Sequence, residues 1–112
     1  MRILQILPEL NVGGVETGTV DFAKYLQEHG YFNVVVSNGG SLVTDLDEEG
    51  IRHYQRPVHQ KSLFSILRNI REVRKIIIAD QIDIVHARSR VPGWIAFFAC
   101  RGTNAQLITT CH

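Results

Sequence analysis

Two segments carry residue types that suit chemistry. The first is Asn11-Val12-Gly13-Gly14-Val15-Glu16. Gly13 and Gly14 remove side chains where backbone N–H groups face outward at the start of a helix, an arrangement that favours a phosphate or another anion. The spacing differs from the G-x-G-x-x-G of nicotinamide-binding proteins, because the glycines are adjacent and an acidic side chain follows two positions later. A dinucleotide site is therefore disfavoured. The same glycines could serve only a tight strand-to-helix turn. Glu16 could be no more than the carboxylate favoured in a first helical turn. The second segment, His86 to Pro92, contains Arg88 and Arg90. Guanidinium groups there are placed to meet an anionic acceptor or a phosphate, although a solvated loop explains them too. His86 reads more simply as a strand-end packing residue.

The elements that must position these residues follow from periodicity. Ile3 to Leu7 is short and apolar before Pro8, as a buried parallel strand would be. Val15, Val20, Phe22, Ala23 and Leu26 share one helical face, and Gly30 ends that helix. Phe32 to Val36 is a second strand, followed by the turn Asn38-Gly39-Gly40. Ser41 reads as the N-cap of a short helix through Leu42, Leu46 and Glu49. Ile51 to Arg56 is a third strand, polar enough for a sheet edge. Ser62 caps the longest helix, Leu63 to Asp80, with Leu63, Ile66, Leu67, Ile70, Val73 and Ile77 on its apolar face. Ile82 to His86 is a fourth strand. Pro92 opens a helix ending at Gly102, and Gln106 to Cys111 is a fifth strand. Strands and helices alternate throughout, which predicts an α/β, Rossmann-like, three-layer fold on a parallel sheet of order 3-2-1-4-5, the first half of a doubly wound fold. Ligands in such folds bind beyond the carboxyl ends of the strands, where both segments lie.

Composition narrows the function class. A net charge of +1 gives no basic excess for nucleic acid and no acidic tail for a basic partner. Cys100 and Cys111 are too few for a disulfide scaffold and fit no metal spacing; both read as buried, reduced thiols of a cytosolic protein. No apolar run reaches the roughly 20 residues that span a bilayer, and the first residues lack the apolar length of a signal peptide.

Three stretches carry a family resemblance. Leu10 to Thr19, with Asp21-Phe22-Ala23 and Leu26, resembles the glycine loop and first helix of family 4 glycosyltransferases. Asp83 to Pro92 resembles the fourth strand and following loop of those enzymes, although histidine often stands where this chain has Arg88. Thr109-Thr110-Cys111-His112 resembles the end of their fifth strand. The three occur in the family's order and spacing and together cover the chain.

The resemblance implies a retaining, two-domain transferase of the GT-B type. It moves a hexose from a nucleotide-sugar to a glycan or glycolipid acceptor, as in cell-envelope polysaccharide synthesis. No metal and no cofactor are expected. Residues 1–112 would be the front of the acceptor-side, N-terminal domain, and the donor-binding domain with the family's E-x7-E carboxylates would lie outside this chain. Asp47-Glu48-Glu49 cannot stand in for that pair. The chain alone is expected to be inactive.

In such an enzyme negative charge builds on the departing nucleotide's β-phosphate, and backbone donors at Gly13 and Gly14 would stabilise it. His112 resembles the family histidine beside the reacting sugar and is the candidate catalytic residue. Arg88, Arg90 and His86 are the candidate acceptor contacts. Related enzymes dock weakly on membranes. The helix bearing Arg68, Arg71, Arg74 and Lys75, with Lys61 before it, suits peripheral contact with the cytoplasmic face of a membrane, but packing on the sheet explains its apolar residues equally well. Two readings compete: a nucleotide-binding Rossmann module, opposed by the glycine spacing and by Val36-Ser37-Asn38 in place of a terminal acidic residue on the second strand, and a non-catalytic interaction domain. Finally, the fifth strand would present an unpaired outer edge, so the chain is expected to self-associate.

Overall fold

A computed structural model describes residues 1–11 and 13–110; the expectations for Val12, Cys111 and His112 lie outside them. The element order is β1 (Arg2–Ile6), α1 (Gly14–Glu28), β2 (Phe32–Ser37), α2 (Val43–Glu48), β3 (Arg52–Gln55), α3 (Leu63–Ala79), β4 (Ile84–Ala87), α4 (Arg90–Cys100) and β5 (Gln106–Thr109). The strands form one parallel sheet of order β3-β2-β1-β4-β5, as the alternation predicts.

Strand side chains alternate between faces, and this divides the core in two. Leu4, Ile6, Val34, Val36, Val85 and Ala87 pack with Val73, Ile76 and Ile77 of α3 and Ile95, Ala96 and Ala99 of α4. Leu7 and Val35 pack on the opposite face with Val20 and Ala23 of α1 and with Leu46. Gln5 shares that second face. It is fully buried and donates from Nε2 to the Thr19 carbonyl of α1 at 3.1 Å.

Several boundaries and contacts differ from expectation. Strand β1 ends at Ile6, but Leu7 stays buried and donates to Val36 O at 3.1 Å. Strand β4 starts at Ile84 because Ile82 N–H is used to close α3, on Ile77 O at 2.9 Å. The cap position of α2 is Leu42, not Ser41, whose N–H donates to Asn11 Oδ1 at 3.3 Å. Helix α4 starts at Arg90 behind Ser89, which places Pro92 inside the first turn. Ser62 does stand at the cap of α3, without a side-chain hydrogen bond.

The largest correction concerns α3. Leu63 is 69% exposed, Leu67 55% and Ile78 62%. The inward stripe is Ile66, Asn69, Ile70, Val73, Ile76 and Ile77. Adjacent helical residues are about 100° apart, so Leu67 is turned away when Ile66 faces the sheet. Asn69 enters the stripe because its polar atoms are used: Nδ2 donates to Pro57 O at 2.9 Å and Oδ1 accepts from Arg56 Nη2 at 3.3 Å. Cys100 is buried and unpaired, and burial pushes its thiol pKa up.

Candidate functional site

At the carboxyl end of the sheet, the glycine loop leaves β1 and is fastened to the turn after β2. Asn38 N–H donates to Pro8 O at 2.8 Å, Leu10 N–H to Gly39 O at 2.9 Å, and Leu42 N–H to Leu10 O at 2.8 Å. Gly40 has φ +148°, and a Cβ there would lie 2.5 Å from the Leu10 carbonyl carbon. Glycine is required at this position by close approach as well as by backbone angle. Sequence reasoning read Asn38-Gly39-Gly40 only as a turn. Its second role, as the support of the first loop, could have been suspected from paired glycines at two neighbouring strand ends.

Gly13 and Gly14 behave differently. Gly13 is extended, with φ 179° and ψ 171°, a conformation open to any residue. Gly14 is the first helical residue, and a Cβ on it would meet nothing within 4 Å. The turn itself therefore demands glycine at neither position, and Gly14 faces open space. A Cβ on Gly13 would come 3.0 Å from both carboxylate oxygens of Glu16. Glu16 thus folds back over Gly13 at the helix start, as a first-turn carboxylate should. It also stands where an incoming anion would go.

Arg88 follows β4 and is half-buried. Its Nε donates to Gln5 Oε1 at 3.0 Å, and its N–H donates to Ile6 O at 3.0 Å. Burial lowers its pKa, but a guanidinium stays charged. Arg88 and Glu16 line one cleft of about 340 Å³ with Leu7, Pro8, Glu9, Val15 and Ser89. The structure therefore brings the glycine-loop helix and the β4 loop together, joining two of the predicted groups. Arg90 points elsewhere. It lines a neighbouring cleft of about 450 Å³ with Pro8, His59, Lys61, Ser89, Val91 and Pro92. His59 and Lys61 lie on the connection between β3 and α3; sequence reasoning read Lys61 only as part of the basic run of the long helix and missed His59, since no motif marks it.

His86 lines neither cleft. It sits within β4, where its Nε2 shares a hydrogen bond of 3.3 Å with Thr110 Oγ1, in keeping with a strand-end packing role. At the end of β2, buried Ser37 shares a 2.6 Å hydrogen bond with His53 Nε2 and accepts from Gly39 N–H at 3.0 Å. Burial lowers the His53 pKa, opposed by nearby Asp47. Among the described residues, no three His, Cys, Asp or Glu side chains gather as a metal site would require.

Comparison with known proteins agrees with this fold. A glycosyltransferase structure from Rickettsia africae shares 44% identity and a TM-score of 0.87, over 96% of this chain and 28% of that one. MurG from Acinetobacter baumannii shares the fold, with 17% identity and a TM-score of 0.74, over 99% of this chain and 35% of that one. So does the C-terminal domain of a hydrogenase from Pyrococcus furiosus, with 21% identity and a TM-score of 0.73, over 97% of this chain and 90% of that one. Likeness at such low identity speaks for the fold alone. No curated protein matches in sequence. The sequence model of Glycosyltransferase Family 4 matches residues 12–112, and the chain belongs to that family.

Proposed function

We propose that this chain is the front of the acceptor-side domain of a retaining, metal-independent hexosyltransferase of the GT-B type. That enzyme would take a nucleotide-sugar donor and a glycan or lipid-linked acceptor, as in cell-envelope polysaccharide synthesis. The observation that carries the reading is the cleft shared by Glu16 and Arg88 beside the open-faced Gly14. Open space at Gly14 lets a reacting group approach backbone donors closely. Arg88, held by Gln5, offers positive charge to an anionic part of acceptor or donor. Glu16 is suited to accept hydrogen bonds from sugar hydroxyls, and it must swing aside if a diphosphate is to reach Gly13. His112 would contact the reacting sugar. The donor domain and the family's carboxylate pair would complete the cleft from outside this chain.

A dinucleotide-binding reading is weakened by Ser37. Its position at the end of β2, where a ribose-binding carboxylate would stand, is occupied by a buried hydroxyl bonded to His53.

Peripheral contact with the cytoplasmic face of a membrane belongs to the same proposal. Among the described residues no helix is long and apolar enough to cross a membrane. Yet Leu63, Phe64 and Leu67 of α3 and Trp94, Phe97 and Phe98 of α4 are exposed, and Lys61, Arg68 and Arg71 lie on or beside α3. Exposed apolar groups with basic neighbours suit an interface with anionic lipid.

The test uses an enzyme that carries this domain. Gly14→Val should lower kcat/KM at least about tenfold by blocking close approach, with unchanged thermal stability because nothing packs at that site. A Gly14→Val enzyme with wild-type turnover would remove the loop from the reaction.

A further inference from the structure

The cleft of about 450 Å³ beside Arg90 has a charge pattern that the glycine loop does not explain. His59 and Lys61 reach it from the connection between β3 and α3, and Arg90 reaches it from the start of α4. No carboxylate lines it. Neither Lys61 nor Arg90 has an ion-pair or hydrogen-bonding side-chain partner among the described residues. His59 Nδ1 is buried and has no hydrogen-bond partner there. An unpartnered buried polar atom is costly, and a turn of the His59 ring that brought Nδ1 into the cleft would let a ligand satisfy it. The start of α4 adds to this field. It has no side-chain cap, and its positive end favours an anion. By contrast, the neighbouring cleft is lined by two carboxylates, Glu9 and Glu16, with Arg88. Pro8 and Ser89 are common to both, so a ligand crossing that shared wall would meet mixed charge on one side and only positive charge on the other.

We propose that the His59–Lys61–Arg90 cleft is a binding site for a phosphate group of the acceptor, next to the sugar-binding cleft. This rests on the acceptor-side reading above and adds the acceptor's chemical class, a phosphorylated one. The phosphate could belong to a phosphosugar or to a lipid phosphate, which share this chemistry. The His59 ring, turned to face the cleft, would bond a phosphate oxygen, Lys61 would act as a point charge, and Arg90 would offer paired donors.

The test is a titration of the ¹⁵N-labelled 112-residue chain with inorganic phosphate, glucose 6-phosphate and hexyl phosphate. Saturable amide shifts should centre on residues 58–61 and 89–91, with a dissociation constant on the order of millimolar. The double variant Lys61→Gln/Arg90→Gln should weaken binding at least tenfold. Both side chains are exposed, so its spectrum should remain that of the folded chain. Tighter binding of hexyl phosphate than of glucose 6-phosphate would assign the phosphate to a lipid; the reverse order would assign it to a sugar. Binding unchanged in the double variant, shifts confined to residues 13–16, or no saturation by any of the three would overturn the site. Loss of binding at the His59–Lys61–Arg90 cleft would leave the glycine loop's role untouched, which is read from Gly14→Val turnover.

Discussion

Arg88 is held in place by Gln5: its Nε donates to Gln5 Oε1 at 3.0 Å. Gln5 in turn donates to the Thr19 carbonyl of α1. One buried amide on the central strand therefore ties the β4 loop to the helix that follows the glycine loop. A polar residue in a core strand is otherwise costly, and here every polar atom of the amide needed for the tie has a partner. The pair predicts a coupling. In urea denaturation, Gln5→Met and Arg88→Met should each destabilise, and the double variant should lose about 0.5–1.5 kcal/mol less than their sum. Strict additivity would mean that the bond contributes nothing.

The four glycines of the two loops should respond differently to alanine. Gly40→Ala forces a Cβ against the Leu10 backbone at φ +148° and should lower stability by about 2–3 kcal/mol. Gly14→Ala meets open space and should change stability by less than about 1 kcal/mol. Equal losses in a denaturation experiment would mean that the glycine loop does not lean on the β2 turn.

His53 gives the fold a pH dependence whose sign is fixed. Its folded pKa lies below the ordinary 6.5 because it is half-buried, so the unfolded chain binds more protons and stability rises with pH. The His53 contribution should be intact above about pH 6.5 and lost as pH falls below that value. His53→Gln, which keeps a hydrogen-bonding side chain beside Ser37, should flatten the decline between pH 7 and 5 in urea titrations. An unchanged slope would place the titration on another histidine.

Much of this architecture was legible from residue types. Alternating apolar strands and helical stripes were enough for the sheet order, because a parallel βαβ chain has few ways to wind. Helix ends were harder, since Ser41 and Pro92 carry the right chemistry one or two positions from where tertiary contacts set the start. Leu63 and Leu67 fit a helical stripe, yet they sit on the flank that the sheet does not reach. At the site, Gly14, Glu16 and Arg88 could be nominated from their positions at strand ends. Gln5, His53 and His59 could not, because their roles come from partners distant in sequence.

The β5 edge makes a prediction about association. On the described chain β5 pairs only with β4, and Ile108 is 49% exposed on the sheet face that α1 leaves uncovered. Such an edge invites pairing with a second chain. Sedimentation at several concentrations should show a dimer or larger species. A clean monomer at high micromolar concentration would contradict it.

The central claim is that the carboxyl end of this sheet is half of a glycosyl-transfer cleft, with its glycine loop facing the donor. An amide NMR titration of the 112-residue chain with UDP- and GDP-sugars tests it most directly. The account predicts weak binding, with a dissociation constant on the order of millimolar, because half a site cannot offset the cost of holding the ligand. The largest shifts should fall at Gly13, Gly14, Val15 and Glu16. A low-micromolar dissociation constant, or shifts centred on Gly102 to Asn104 at the opposite end of the sheet, would contradict it.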